Sequence, residues 1–438
     1  VPGVEEHMSQ PRPQPQKSAQ HPLKSWFKRV THALGPGVTT GAADDDPSGV
    51  ATYSIVGAQY GTSFLWSALV TWPMMGCVQM ICARVGMVTG MGLAGALRQK
   101  FPRWIVAIIA FALLIANVIN IASDLGGMAD AAQMLGAGRS SIWVWVFGLG
   151  ICASMVRLRY HQIANVLKWL AIALFAYVIT AFLVHPHWTQ VLHDTIFPTW
   201  PSGTGGWGAL VAILGTTISP YLFFWQAGQE VEEERAKGRR LVIHRHGATS
   251  QEIQDRRIDV GVGTFFSNLV MFFIILTTAL TLHAHGITSI ATTREAAEAL
   301  RPLAGDYAYF LYTIGIVGTG LLAIPTLAGS AAYAFAETFD WIYGFDEKFN
   351  DAVSFYVVFI VATIGGSVLD GLRIDPMKAL YWSAIVNGVL APFLLVALLL
   401  VSNDKKIMRG HPSSHVSRAV VVLTTIAMFG AAIGMFIF

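Results

Sequence analysis

Three aspartates in succession, Asp44, Asp45 and Asp46, are followed by Pro47, Ser48 and Gly49 inside an otherwise apolar stretch. Carboxylates at this density are chemistry for a hard cation, which takes oxygen ligands and needs negative charge to leave water. The apolar setting sharpens the point. One Asp at the centre of a bilayer costs on the order of 3 kcal/mol, so three ionised together cost roughly 9 kcal/mol before any mutual repulsion. A bound cation is the compensation this cluster asks for. A second stretch, Gly215-Thr216-Thr217-Ile218-Ser219-Pro220-Tyr221, also sets a proline in the middle of an apolar run, but with hydroxyls in place of acids.

The rest of the chain must hold these two stretches in a membrane. Of the 438 residues, 54% are hydrophobic and only 13% charged, far less charge than soluble domains carry. A helix crosses the hydrocarbon core with about 20 apolar residues, and eleven windows qualify: 36–60, 63–86, 104–135, 142–158, 164–184, 207–229, 260–284, 306–335, 352–370, 379–402 and 418–438. Of the 29 Lys and Arg, all but Arg139, Arg294, Arg301, Arg373 and Lys378 then fall on the side of the N-terminus. Cytoplasmic loops hold the excess of positive charge, so the N-terminus is expected in the cytoplasm and the C-terminus outside, with the plasma (inner) membrane as location. Residues 1–34, rich in Pro, Gln and Lys with no apolar run, read as a disordered cytoplasmic tail without a cleavable signal. Cys77, Cys82 and Cys152 lie in apolar stretches without ligand spacing and read as packing residues.

The two prolines sit in the first and sixth windows, five spans apart. Paired interruptions at equivalent places in two halves point to an inverted-repeat transporter whose site lies near the midplane between half-helices, where freed backbone carbonyls can line an ion-filled cavity. The expected organisation is therefore a first repeat over 35–184, a second over 207–402, and a loop with a peripheral eleventh span over 403–438.

At these residues the chain resembles the natural resistance-associated macrophage protein (Nramp) family of divalent-metal transporters, over nearly all its length after the tail. "GPGVTTGAADDDPSGVATYSIVGAQYG" is similar to that family's first span, whose signature is Asp-Pro-Gly-Asn, and puts Asp46 on the signature aspartate. "ICARVGMVTGMGLA", "IASDLGGMA", "ILGTTISPYLFFWQ" and "LLVSNDKKIM" resemble further family segments in the same order. The resemblance implies an all-α membrane protein of eleven transmembrane helices: a LeuT-type inverted repeat (5+5) with helices 1 and 6 broken, plus one extra helix.

The departures bear on the ion. The manganese and iron branch has Met-Pro-His in span 6, where this chain has Ser219-Pro220-Tyr221, so the soft thioether is gone. The signature Asn is Gly49, an apolar residue before the aspartate is Asp45, and a span-10 Gln falls on Ala384, which leaves more room for water. Together these changes imply an oxygen-rich, more negative site for a partly hydrated Mg2+, with Mn2+ also admitted, as in the Nramp-related magnesium branch. The metal set implied is Asp45, Asp46, Gly49, Thr216, Ser219 and Asp124, with Thr216 giving its backbone carbonyl and Ser219 its hydroxyl or carbonyl. Positions of the family's proton route read Tyr221, Gln226, Asn117 and Gly127, and only Asp124 keeps a carboxylate. Uncoupled, gradient-driven flux is the expectation, against the alternative of a proton-coupled Mn2+/Fe2+ transporter with an altered site.

Each assignment has a plainer reading beside it. Asp45 and Asp46 would also serve as helix caps, Asp44 reads equally as a cap or a vestibule charge, and Thr216 and Ser219 would bond back onto the turn around Pro220. Asp124 would also stand as a buried acid bonded to Ser or Thr. Glu230-Val231-Glu232-Glu233-Glu234 reads first as a solvated loop face and second as a cation funnel. His185, His187, His193, His283 and His285 read as incidental. No phosphate loop or His-Glu-x-x-His run is present, and paired acids without a hydrolytic motif do not make a protease, so no enzyme and no cofactor are expected. The partners implied are the divalent ion and the lipid bilayer, with no nucleic acid and no obligate protein partner.

Overall fold

The computed structural model describes residues 35–136, 138–157, 171–200, 202–239, 242–372 and 375–437, and among them all regular structure is helical. The helices that build the bundle are α1 (Pro36–Asp44), α2 (Pro47–Tyr60), α3 (Leu65–Thr89), α4 (Arg103–Met134), α5 (Ser140–Arg157), α6 (Gly203–Thr217), α7 (Pro220–Ala236), α8 (Ser250–Thr281), α9 (Ala308–Phe339), α10 (Val353–Asp370), α11 (Pro376–Ser402) and α12 (His415–Ile437). Nine helical stretches among the described residues are long and apolar enough to cross a membrane. One of them, Pro47–Thr89, takes in parts of the first two expected windows, because the 3₁₀ turn Gly61–Phe64 joins α2 to α3. The fifth window keeps only the short apolar helix Ile172–Leu183 among the described residues. Its beginning and the expected tail, 1–34, lie outside them.

Both expected interruptions are present, and they share one backbone solution. Asp45 (φ −79°, ψ 54°) ends α1, Asp46 is extended (φ −70°, ψ 169°), and Pro47 opens α2. Ile218 (φ −119°, ψ 54°) ends α6, Ser219 is extended (φ −71°, ψ 131°), and Pro220 opens α7. The cause is local: a proline pushes the residue before it out of the helical region, and its missing N–H costs nothing at the first turn of a helix. The α6–α7 stretch is enclosed, with 94% of its apolar window buried, whereas α12 buries 33% of its window and is peripheral.

The short α1 is held by α8. A Cβ on Gly37 would lie 2.6 Å from the Val260 nitrogen, and one on Gly41 2.5 Å from the Gly263 carbonyl, so glycines let the two backbones touch. At the N-terminus of α1, Gly35 has no side chain to cap with. Asp259 of α8 supplies the cap instead: its Oδ1 accepts from the Gly35 and Val38 N–H groups (2.7 and 3.1 Å), and its Oδ2 from the Gly37 N–H (2.7 Å). Arg256, one turn earlier, donates to the same Oδ2 (2.5 Å) and pairs with Glu230 (2.8 Å) and Glu233 of α7. Glu230 also accepts from the Gln226 amide (2.7 Å).

This network corrects the reading of 230–234 as a solvated loop. The run lies in the last turns of α7, with Glu230, Glu232 and Glu234 buried. Its counter-charge is shared between Arg256 on another helix, which meets Glu230 and Glu233, and the nearby Lys237 and Arg239, which meet Glu233 and Glu234. Removing one member of such a buried network costs about 3 kcal/mol. Asp259→Ala is therefore expected to raise hydrogen exchange in Gly35–Asp44 and lower the melting temperature, while α11 and α12 keep their protection in the same exchange experiment.

Candidate metal-ion site

Asp46 is buried at the break and uses its two oxygens differently. Oδ1 accepts from the Ser48 hydroxyl and the Gly49 N–H, each at 2.7 Å, and so caps α2 in the manner of an acidic N-cap. Oδ2 points away from that turn. It accepts from the Asn120 amide of α4 (3.0 Å), and the Tyr221 hydroxyl of α7 lies 3.4 Å away while donating to the Ala43 carbonyl at 3.1 Å. Oδ1 thus holds the cap with two short bonds, and Oδ2, with longer ones, is the oxygen turned toward the neighbouring helices.

Around this oxygen stand buried polar atoms without partners. Asp124, fully buried on α4, has no hydrogen bond to either carboxylate oxygen; the Asp46 charge and the Ser48 N–H are its electrostatic neighbours. The Asn120 oxygen is unpartnered, while the Thr216 hydroxyl has the Tyr53 hydroxyl as its neighbour. A buried oxygen with no donor costs about 1–3 kcal/mol, and Asp124 and Asn120 carry that cost here together. What they lack is hydrogen-bond donors or a cation.

Asp45 turns elsewhere. Ser267 of α8 sets its hydroxyl 2.7 Å from Asp44 Oδ2 and 3.2 Å from Asp45 Oδ1, so Asp44 and Asp45 face α8 while Asp46 faces α4 and α7. Among the described residues no group of three or more His, Cys, Asp and Glu side chains is placed to hold a metal ion. The expected ligands Asp45, Asp46 and Asp124 thus do not form one carboxylate cage in this conformation.

Gly49 brings only its backbone N–H, which is spent on Asp46. The space a side chain would take there is filled: a Cβ on Gly49 would lie 2.9 Å from the Thr216 hydroxyl and 3.3 Å from Asp46 Oδ1. Ser219 bonds back, its hydroxyl lying 2.9 Å from the Gly215 carbonyl and 2.8 Å from the Thr216 carbonyl, which leaves its own lone pairs free. Ala384 lies where α6 and α11 pack backbone against backbone: a Cβ on Gly215 would come within 2.1 Å of its carbonyl oxygen.

Asn117, Gln226 and Gly127, which match positions of the family's proton route, carry no titratable side chain. The Asn117 amide donates to the Leu327 carbonyl and the Ser330 hydroxyl, each at 2.8 Å. Gln226 is tied to Glu230, and Gly127 abuts Leu380. Of the histidines, His283 meets the Ala58 carbonyl (2.7 Å) and His285 the Thr281 carbonyl (2.8 Å).

Two residues of the site were missed in sequence. Asn120 had a signal, because it lies four residues before Asp124 and so on the same face of α4. Ser267, a single hydroxyl in an apolar helix, had none. The contact at Gly49 has a direct test: Gly49→Asn is expected to destabilise the protein by about 1–3 kcal/mol through overpacking, and Thr216→Ala in the same chain to recover part of that loss. Thermal unfolding of the two single variants and the double variant reads the coupling.

The family model described as "Natural resistance-associated macrophage protein-like" matches residues 37–438. Among curated relatives, the chain is 24% identical over 410 residues to the divalent metal cation transporter MntH of Aeromonas hydrophila, covering 89% of this chain and 92% of the relative. It is 27% identical over 417 residues to the protein of the same name from Acidiphilium cryptum, covering 91% and 87%. Among solved structures it is similar in fold to the manganese transporter of Eremococcus coleocola, with a TM-score of 0.70 at 16% identity over 94% of this chain and 87% of that one.

Proposed function

The chain belongs to the natural resistance-associated macrophage protein-like family, and from that premise we propose that it is a secondary transporter of divalent metal ions that carries Mg2+ with part of its water shell, by alternating access and without a coupled proton. The observation that carries this reading is the division of labour within Asp46. One oxygen is committed to the helix cap, the other is turned toward α4 and α7 with the Asn120 amide at 3.0 Å, and the Asn120 oxygen beside it has no partner.

Mg2+ takes oxygen ligands, sheds water reluctantly, and is commonly held through one or two carboxylates with several waters kept. Waters bound to Mg2+ are donors, and donors are what the Asp124 and Asn120 oxygens lack. The ligand set proposed is Asp46 directly, Asp124 through water, and the Thr216 carbonyl with Ser219 from the facing break. Asp45 adds charge from the α8 side, and Gly49 shapes the turn. A soft ion would look for sulfur. Position 219 has none, and Met128, one turn beyond Asp124, packs its sulfur against Gly320.

The matching breaks support two inverted repeats over 35–184 and 207–402, with α12 outside them, and the distribution of Lys and Arg supports a cytoplasmic N-terminus in the plasma membrane. Asn117, Gln226 and Gly127 carry no titratable group, which supports flux driven by the ion gradient and membrane potential alone.

Proteoliposomes holding both a magnesium-sensitive and a pH-sensitive dye test the function. Mg2+ entry without lumenal acidification is expected; acidification in step with Mg2+ or Mn2+ entry sinks the uncoupled reading, and absence of Mg2+ entry sinks the ion assignment. In the same vesicles Asp46→Ala is expected to fall to the background of empty liposomes. Normal uptake by that variant would move the site elsewhere.

A further inference from the structure

We propose that Asn120 is a specificity-determining residue of the ion site: its amide holds Asp46 to one free oxygen and receives a water of the bound ion. This rests on the reading of a hydrated Mg2+ at Asp46. Asn120 is fully buried on α4, and its Nδ2 donates to Asp46 Oδ2 at 3.0 Å. The amide sits only one way round, because its oxygen turned toward the carboxylate would set acceptor against acceptor. Its Oδ1 is therefore fixed beside the site, and it is buried without a partner. Asp124, one turn on along the same helix face, presents two more unpartnered oxygens.

The geometry has two effects on an arriving ion. By occupying one side of Oδ2, the amide N–H limits the direction from which an ion reaches that oxygen, while Ser48 and Gly49 keep it from Oδ1 and so from bidentate binding. Binding through one carboxylate oxygen leaves most of the coordination sphere to water. The Asn120 oxygen, fixed by the same amide, then accepts a hydrogen from one of those waters, whose O–H groups are strengthened as donors by the metal. Mg2+, which keeps its waters, gains from both effects. Mn2+ accepts a wider range of ligands and gives up water for protein atoms more readily, so it depends less on an acceptor placed one water away.

Asn120→Leu, close in shape and without polar atoms, removes the donor and the acceptor together. In proteoliposomes the expected result is a rise in the KM for Mg2+ of about tenfold or more, the scale of losing hydrogen bonds to a charged centre, with the Mn2+ KM changed much less, so that the Mg2+:Mn2+ uptake ratio falls. A residue that only held the helices together would lower the maximal rates for both ions alike and leave the ratio in place, and that outcome overturns the proposal, as does an unchanged KM for Mg2+. Asn120→Ser, which keeps a short hydroxyl, serves if the leucine variant does not fold, and is expected to shift the ratio in the same direction. Wild-type protein in the same assay separates the two levels: failure to carry Mg2+ at all refutes the functional reading, whereas Mg2+ transport with a ratio insensitive to position 120 refutes only this inference.

Discussion

One carboxylate, Asp46, both builds the break and turns an oxygen toward the proposed ion site. Its Oδ1 ties the Ser48 hydroxyl and the Gly49 N–H into the start of α2, and its Oδ2 is left toward α4 and α7. The two tasks constrain each other. A capping carboxylate must be charged to hold its donors well, and a charged carboxylate buried in a bilayer needs a counter-charge. Pro47 makes the arrangement possible by removing the N–H that would otherwise extend the helix through the aspartate. Everything around the site follows from supplying Asp46 with donors on one side while leaving acceptors unpaired on the other.

α1 adds a second constraint. It is nine residues long, too short to be stable alone in water, and its N-terminus has no capping side chain of its own. Asp259 closes that end from α8, and Arg256 links the cap to Glu230 and Glu233 of α7. The glycine contacts at Gly37 and Gly41 then let α1 lie against the α8 backbone. The half-helix that carries Asp44 is thus positioned by partners more than two hundred residues away, so its placement relative to the ion depends on α8 as much as on its own sequence.

The breaks were legible because their cause is local. Pro47 and Pro220 each force the preceding residue to be extended, and the acids and hydroxyls beside them named the chemistry. The spans were legible from apolar length. What did not show was everything set by pairing across the chain. Asp45 and Asp46 are neighbours in sequence, yet one meets Ser267 and the other Asn120, and only the turn between α1 and α2 decides which. The run from Glu230 to Glu234 read as solvated because the groups that bury Glu230 and Glu232, Arg256 and Tyr333, lie on other helices. Gly49 read as a lost ligand; that the Thr216 hydroxyl occupies the vacated volume is a matter of how closely α6 meets α2.

The central claim is that the ion binds through a single carboxylate oxygen and keeps water toward Asn120 and Asp124. A high-resolution structure with Mg2+ bound tests it most directly. The account predicts Asp46 as the one carboxylate at the direct Mg–O distance of about 2.1 Å, with ordered waters between the ion and the Asn120 and Asp124 oxygens. An ion stripped of water and ligated directly by two or more of Asp45, Asp46 and Asp124 would contradict it.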